Sequence, residues 1–353
     1  MNNKIEKSRK DILWIDFMKA ICLFLVFLFH SEFYCGVRFF EFTNYYARFF
    51  VNSFFFISGY LIFNKQLFSD LINLKAREWW FQRGGGRTML TNGFWRIIVP
   101  TIIFCALIYF PKSILRGDDI NFRDFFIDSF LGKSFWFTWA LFWAELLIII
   151  SLLTRIKSIW FYVLFGIVMI YLEILIEHKG VIFFNDESMP WNYRKGMLAC
   201  IFLAYGGVYK KFENRLDRFF LSTKGFFVLA LMTLVYIIDI YNNKLMNADS
   251  STLYYYYLSF LSIFILVYAC KLCKGNNVTK YIGRSSIGFF FLSGALPNVF
   301  SLLVFKFNSG LIGPIMPLVV AIISFLFAFI LVYALKKYLP FLFDLRLLWN
   351  NKL

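Results

Sequence analysis

The sequence predicts an all-α, polytopic integral membrane protein of about ten transmembrane helices. Three observations lead there. Of the 353 residues 60% are hydrophobic and only 16% charged, the apolar stretches run to bilayer length instead of alternating at helix or strand period, and the basic residues collect on one side of those stretches. The hydrocarbon core of a bilayer is about 30 Å thick and an α-helix rises about 1.5 Å per residue, so roughly 20 apolar residues make one crossing. With the N-terminus inside, 25 of the 37 Lys and Arg residues fall in the segments 4–10, 65–96, 155–157, 210–224, 271–284 and 336–352, against 11 on the other side and Lys19 within the first span. Both termini are therefore expected in the cytoplasm. The net charge of +16 reads as a topology signal and an attraction to anionic lipid, and calls for no nucleic acid.

The first span, 12–30, contains DFMKAICLFLVFLFH. A basic stretch precedes it, but no small-residue cleavage site follows and the run is longer and bulkier than a signal-peptide core, so it reads as a permanent helix. Lys19 and His30 are eleven residues apart, which on a helix returns to within about 20° of the same direction and separates them by about 16 Å along the axis; Asp16 lies within roughly 60° of that line. The three ionisable groups share a face. A charge at membrane depth costs about 2.5–3.5 kcal/mol on insertion scales, so such groups face an interior or a partner. Asp16 and Lys19 can neutralise each other three residues apart, or support His30. His30 can anchor the end of a span at the interface, or act as a base, since an ordinary pKa near 6.5 lets it take a proton from a hydroxyl and return it at neutral pH. The only other histidine, His178, falls in a predicted outer loop beside Glu177 and Lys179.

The second span is 46–63, and the longest polar stretch, 64–93, follows it on the inside with QRGGGR at Gln82 to Arg87. Its Arg83 and Arg87, with Arg96 beyond, serve either topology alone or the phosphates of an anionic substrate beside a glycine-rich backbone. No P-loop lysine and hydroxyl residue follow the glycines. The third span, 94–110, starts just before RIIVP, Arg96 to Pro100. In the fourth, 135–153, Ser134, Thr138 and Glu145 sit at spacings of four and seven on one face, and Trp136, Trp139 and Trp143 form another. That pattern suits an acceptor path with tryptophans stacking on sugar rings, and equally suits helix packing with interfacial tryptophans. The fifth span, 159–176, and the seventh, 226–241, carry Glu173 and Asp239, to which no role is assigned. The sixth, 196–209, is short for a crossing. The eighth, ninth and tenth are 253–270, 285–305 and 316–335. Cys22, Cys105, Cys200 and Cys270 lie within spans, Cys273 just past one and Cys35 outside, a distribution of packing residues with no disulfide framework; Cys270 and Cys273 form a lone CxxC, and no metal is expected. No soluble domain, repeat or linker is visible, so residues 1–353 read as a single transmembrane domain with its chemistry within the helices or at their mouths.

The stretch from Asp16 to His30 resembles the first helix of the acyltransferase 3 family of membrane-bound O-acyltransferases that modify surface glycans, where an aspartate and a basic residue precede a histidine, the basic residue eleven positions before it. SFFFISGYLI at Ser53 to Ile62 is similar to the family's second helix, RIIVP to the opening of the third, SFWFTWALFW at Ser134 to Trp143 to the Trp-Phe motif of the fourth, and YIGRSSIGFFFLSG at Tyr281 to Gly294 to the Gly-x-x-Ser start of the ninth. The matches follow family order across nearly the whole chain. Departures are Lys19 in place of an arginine, which keeps charge but loses the planar fork, Gly294 where a histidine is common, Ser134 and Phe135 where another is, and Asn92 in a thinned arginine pair before Arg96.

The resemblance implies transfer of an acyl group, usually acetyl, from cytoplasmic acyl-CoA to a hydroxyl of a cell-surface polysaccharide, O-antigen or lipid-linked glycan, in a bacterial cytoplasmic (inner) membrane. It makes His30 the expected catalytic residue with Lys19 and Asp16 in support, and Arg83, Arg87 and Arg96 the contacts to acyl-CoA, acetyl-CoA above all, as donor substrate. Trp136, Trp139 and Glu145 are the expected contacts to a glycan or glycolipid acceptor. The competing class is a transporter or flippase of a glycan or lipid-linked sugar; only the enzyme would consume acyl-CoA.

Overall fold

The computed structural model describes residues 12–116, 121–132, 134–178, 192–242, 252–307 and 313–350. The basic cluster Lys4, Lys7, Arg9 and Lys10, most of the outer segment 177–195, and Lys352 lie outside the described residues. The described chain is helical, with no strand. Its helices are α1 (Leu13–Cys35), α2 (Thr43–Tyr46), α3 (Asn52–Gln66), α4 (Ala76–Phe81), α5 (Gly86–Gly93), α6 (Val99–Arg116), α7 (Phe122–Phe130) and α8 (Trp136–Leu152). They continue with α9 (Ile159–His178), α10 (Tyr193–Phe220), α11 (Thr223–Asn242), α12 (Leu253–Cys273), α13 (Asn277–Arg284), α14 (Ser286–Phe307), α15 (Met316–Tyr338) and α16 (Leu347–Asn350).

Among the described residues 7 helical segments are long and apolar enough to cross a membrane: Leu13–Cys35, Ala76–Phe110, Ile159–Ile176, Thr223–Asn242, Leu253–Cys273, Ser286–Val304 and Met316–Tyr338. The α8 helix is as apolar but one residue short of that length. Large apolar side chains stay exposed on α9 (Trp160, Leu164, Ile167, Tyr171) and on α11 (Phe227, Leu231, Leu234, Ile238), the surface lipid would cover. The protein is thus a multi-pass membrane protein.

The chain forms two compact units. One holds residues 1–53, 218–246 and 261–329; the other holds 54–217, 247–260 and 330–353.

In the first unit α1 is buried along most of its length, with Met18, Cys22, Leu23 and Phe27 fully enclosed. It packs on α13 and α14. Gly283 permits the approach to α13, since a Cβ there would stand 2.5 Å from both Cα and the carbonyl oxygen of Asp16. Phe325 on α15 meets Phe24 and Phe27 edge-on at 5.6 and 5.2 Å and Phe289 of α14 at 5.3 Å, an aromatic layer typical of close ring packing.

In the second unit α10 is the spine. A Cβ on Gly59 of α3 would land on the Leu203 carbonyl oxygen, and one on Gly206 of α10 on the Phe56 carbonyl oxygen, so the two backbones touch through a pair of small residues. Gly196 likewise lies against Trp143 and Ala140 of α8. The predicted sixth span, 196–209, is short because Arg194 and Lys195 precede it and Lys210 and Lys211 follow it; the helix itself runs 28 residues, carrying these charges, and is not among the segments apolar enough to cross. A single π-turn at Phe94–Ile98, closed by the Val99 N–H on the Phe94 carbonyl, joins α5 to α6. Pro100 supplies the cause: a proline has no N–H and crowds the carbonyl four residues back, and widening the preceding turn relieves both.

Candidate active site

The α1 helix is unbroken from Leu13 to Cys35, so the shared face of Asp16, Lys19 and His30 holds in three dimensions. Asp16 is mostly buried and meets Arg284, the last residue of α13, with Nε 3.7 Å from its carboxylate. Lys19 is one partner the sequence offers Asp16; the structure adds a cation from 268 residues downstream, carried by the same Gly-Arg-Ser-Ser stretch whose glycine lets α13 touch α1.

His30 is half-buried near the far end of α1. Its ring lies nearly parallel to Tyr34, one turn on, with centroids 6.4 Å apart, and edge-on to Phe29 at 5.9 Å. Among the described residues it makes no hydrogen bond or ion pair. Two residues later Glu32, 6% exposed, fixes the loop that follows. Its carboxylate accepts from the Phe39 N–H at 3.1 Å, the Tyr46 hydroxyl at 3.1 Å and the Thr43 hydroxyl. Glu32 therefore folds residues 36–46 back over the end of the helix that carries His30, a role no sequence spacing announced.

The remaining expected residues belong to the second unit. In QRGGGR all three glycines are buried. A Cβ on Gly85 would strike the Trp79 carbonyl oxygen, and one on Gly86 would lie 2.5 Å from the Trp80 ring. The Gly84 N–H donates to the Thr88 hydroxyl at 3.2 Å and the Gly85 N–H to the Gln82 carbonyl at 2.9 Å. Gln66 seats the turn, donating to the Gly84 carbonyl and accepting from the Trp79 indole, each at 2.8 Å. Close packing at Gly85 and Gly86, and a φ of +88° at Gly84, require glycine at these positions. Arg83 and Arg87 stand exposed on either side of the turn.

Arg96 lies in the π-turn, more than half exposed, with Nε 3.6 Å from Asp344. Asp344 also takes a forked contact from Arg346, Nε at 2.8 Å to one oxygen and a terminal nitrogen at 2.7 Å to the other, while the second terminal nitrogen donates to the Asn92 side-chain oxygen at 2.8 Å. The hydrogen bond from Arg346 is the main reason the Asp344 carboxyl is held below the ordinary carboxylate range, with the nearby Arg96 charge adding to it.

On α8, Glu145 accepts from the Ser58 hydroxyl of α3 at 2.5 Å, a contact between a carboxylate in a predicted span and the Ser-Gly pair of SFFFISGYLI. Its other oxygen is 3.7 Å from where a Gly93 Cβ would stand. Trp136 has the Lys195 ammonium 4.2 Å from its ring centre. Trp139, 8% exposed, is covered by the Gly132 turn and its indole N–H is spent on the Ser129 carbonyl at 3.3 Å. Of the two expected tryptophans, Trp139 is thus held by packing and a hydrogen bond, and Trp136 carries a lysine beside its ring. Among the described residues no group of three His, Cys, Asp or Glu side chains is placed to hold a metal ion.

The family model described as an acyltransferase domain matches residues 12–337. In comparisons with curated proteins and with solved structures nothing matches. The matched span takes in α1 with its Asp16, Lys19 and His30, the π-turn with Arg96 and the α13 contact through Gly283 and Arg284, and the chain accordingly belongs to the acyltransferase 3 family as a membrane-embedded acyltransferase.

Proposed function

We propose that the protein is an O-acyltransferase of the bacterial cytoplasmic membrane that moves an acyl group, acetyl in the first instance, from cytoplasmic acyl-CoA to a hydroxyl of a cell-surface polysaccharide, O-antigen or lipid-linked glycan. The observation that carries this reading is His30, a half-buried imidazole on a rigid helix whose nitrogens bond to no described residue. The acceptor hydroxyl gives its proton to His30 as its oxygen bonds to the thioester carbonyl carbon. The carbon–sulfur bond then breaks, and the departing thiolate takes the proton back, leaving an ester and free coenzyme A. Lys19 places a cation on the same face, able to offset developing negative charge. Arg83, Arg87 and Arg96 are the donor-phosphate contacts in this reading, and Trp136 and Glu145 the acceptor contacts.

The test compares surface glycans by mass spectrometry in cells lacking the protein, complemented with the native chain or with His30→Ala at matched membrane abundance. The native chain is expected to add an alkali-labile acyl mass, and the variant to lose it by about 10²–10⁴-fold, the usual contribution of a general base. Equal acylation by both would remove His30 from the mechanism. Changed glycan export without any acylation would identify a transporter instead.

A further inference from the structure

We propose that Arg346, beyond the family-matched residues, completes an anion site with Arg96 that takes a phosphate ester of the donor. The inference rests on reading Arg96 as a donor contact. Arg346 follows the last long helix, at the turn that leads into α16. Asp344 holds it beside Arg96: the carboxylate takes the fork of Arg346 at 2.7 and 2.8 Å and stands 3.6 Å from Arg96 Nε. Two guanidiniums from elements 250 residues apart are thereby drawn together, and one negative charge between two positive ones leaves a net cation.

The geometry of Arg346 is over-determined for a mere tether. A guanidinium carries five N–H donors. Arg346 commits three, two to Asp344 and one to Asn92 at 2.8 Å, so its plane is fixed while two N–H groups remain. Its side chain is 30% exposed and that of Arg96 56%, so neither is closed off by the protein around it. Fixed orientation, spare donors and net positive charge suit a tetrahedral phosphate oxygen cluster better than a carboxylate already supplied in place. Coenzyme A offers such groups, and so does an anionic lipid headgroup; the site is assigned to the phosphate ester of the donor, and measurement separates it from lipid.

The full-length protein is reconstituted in phosphatidylcholine nanodiscs, and calorimetric affinity for coenzyme A and for dephospho-coenzyme A is measured for the native chain, Arg346→Gln, Arg346→Lys and Arg96→Gln. Arg346→Gln is expected to weaken coenzyme A binding about tenfold, with Arg346→Lys between it and native because charge is kept and the fork lost. Native-like affinity in Arg346→Gln, with Arg96→Gln weakened, overturns the role of Arg346 and leaves the donor reading standing. No binding by the native chain overturns the donor reading and this site with it. Should Arg346→Gln fail to fold, Arg346→Lys carries the test, and affinity equal to native overturns the forked contact. Repeating the native and Arg346→Gln titrations with phosphatidylglycerol in the disc separates the sources: unchanged native affinity supports the nucleotide, whereas competition present in the native chain and lost in Arg346→Gln assigns the site to lipid and overturns the proposal.

Discussion

Asp344 shows how much a single carboxylate can organise when its neighbours are arginines. Arg346 donates to both of its oxygens and Arg96 stands close by, and the carboxyl is held below its ordinary range chiefly by the Arg346 hydrogen bond. A group with a depressed folded pKa contributes stability that is fully present above the unfolded value, near 3.9 for aspartate, and lost as pH falls through the lower folded value. Protection of residues 339–350 against hydrogen exchange, corrected for intrinsic rates, is therefore expected to stay constant from pH 8 to pH 5. Asp344→Asn at pH 7 is expected to lower it by about 1–2 kcal/mol, since a charge-assisted fork becomes a neutral contact. Protection that declines between pH 7 and pH 5 in the native chain would show that another group holds the segment. His30, Lys19 and Asp16 were legible at this scale because helix period alone aligns them. The Arg346 contact to Asn92 was not, because the partners are 254 residues apart and neither lies in a periodic pattern.

At the scale of elements, two glycines, one just before the ninth predicted span and one inside it, separate contact from vacancy. Gly283 carries α13 against α1 so closely that an added Cβ would meet the backbone of Asp16 at 2.5 Å, while Gly294 of α14 has nothing within 4 Å of a built Cβ. Gly283→Ala must push α13 off α1, at about 1–3 kcal/mol, and shift Arg284 from Asp16. Gly294→Ala meets no obstacle and removes backbone freedom from a helix interior, a gain of about 0.5–1 kcal/mol. Thermal unfolding in one detergent should move in opposite directions for the two variants; a fall for both would mean that the space beside Gly294 is needed open. The apolar runs announced the long helices to within a few residues at most of their ends, as 253–270 against Leu253–Cys273 shows. They were silent on α4, α5 and α13, which are too short for an apolar signature, and on the π-turn, whose cause is one proline.

Across the whole molecule the distribution of basic residues is a statement about which way the chain faces, because lysine and arginine are retained on the cytoplasmic side. That reading makes a direct prediction through the native thiols. All six cysteines are free; Cys22, Cys35, Cys105, Cys200 and Cys270 are buried, and Cys273 alone is exposed. Cys273 sits at the end of α12 next to Lys271 and Lys274, in a segment the charge pattern puts inside. A membrane-impermeant maleimide should leave the protein unlabelled in intact spheroplasts and label it once the membrane is opened, with Cys273→Ser abolishing the signal. Arg38, 61% exposed in the segment after α1, should behave in the opposite way: Arg38→Cys in the Cys273→Ser background should label from outside. Together the two thiols fix the direction of α1, and with it the side to which His30 is nearer. Labelling of Cys273 in sealed spheroplasts would invert the chain, moving Arg83, Arg87 and Arg96 away from cytoplasmic coenzyme A and removing the donor reading of all three.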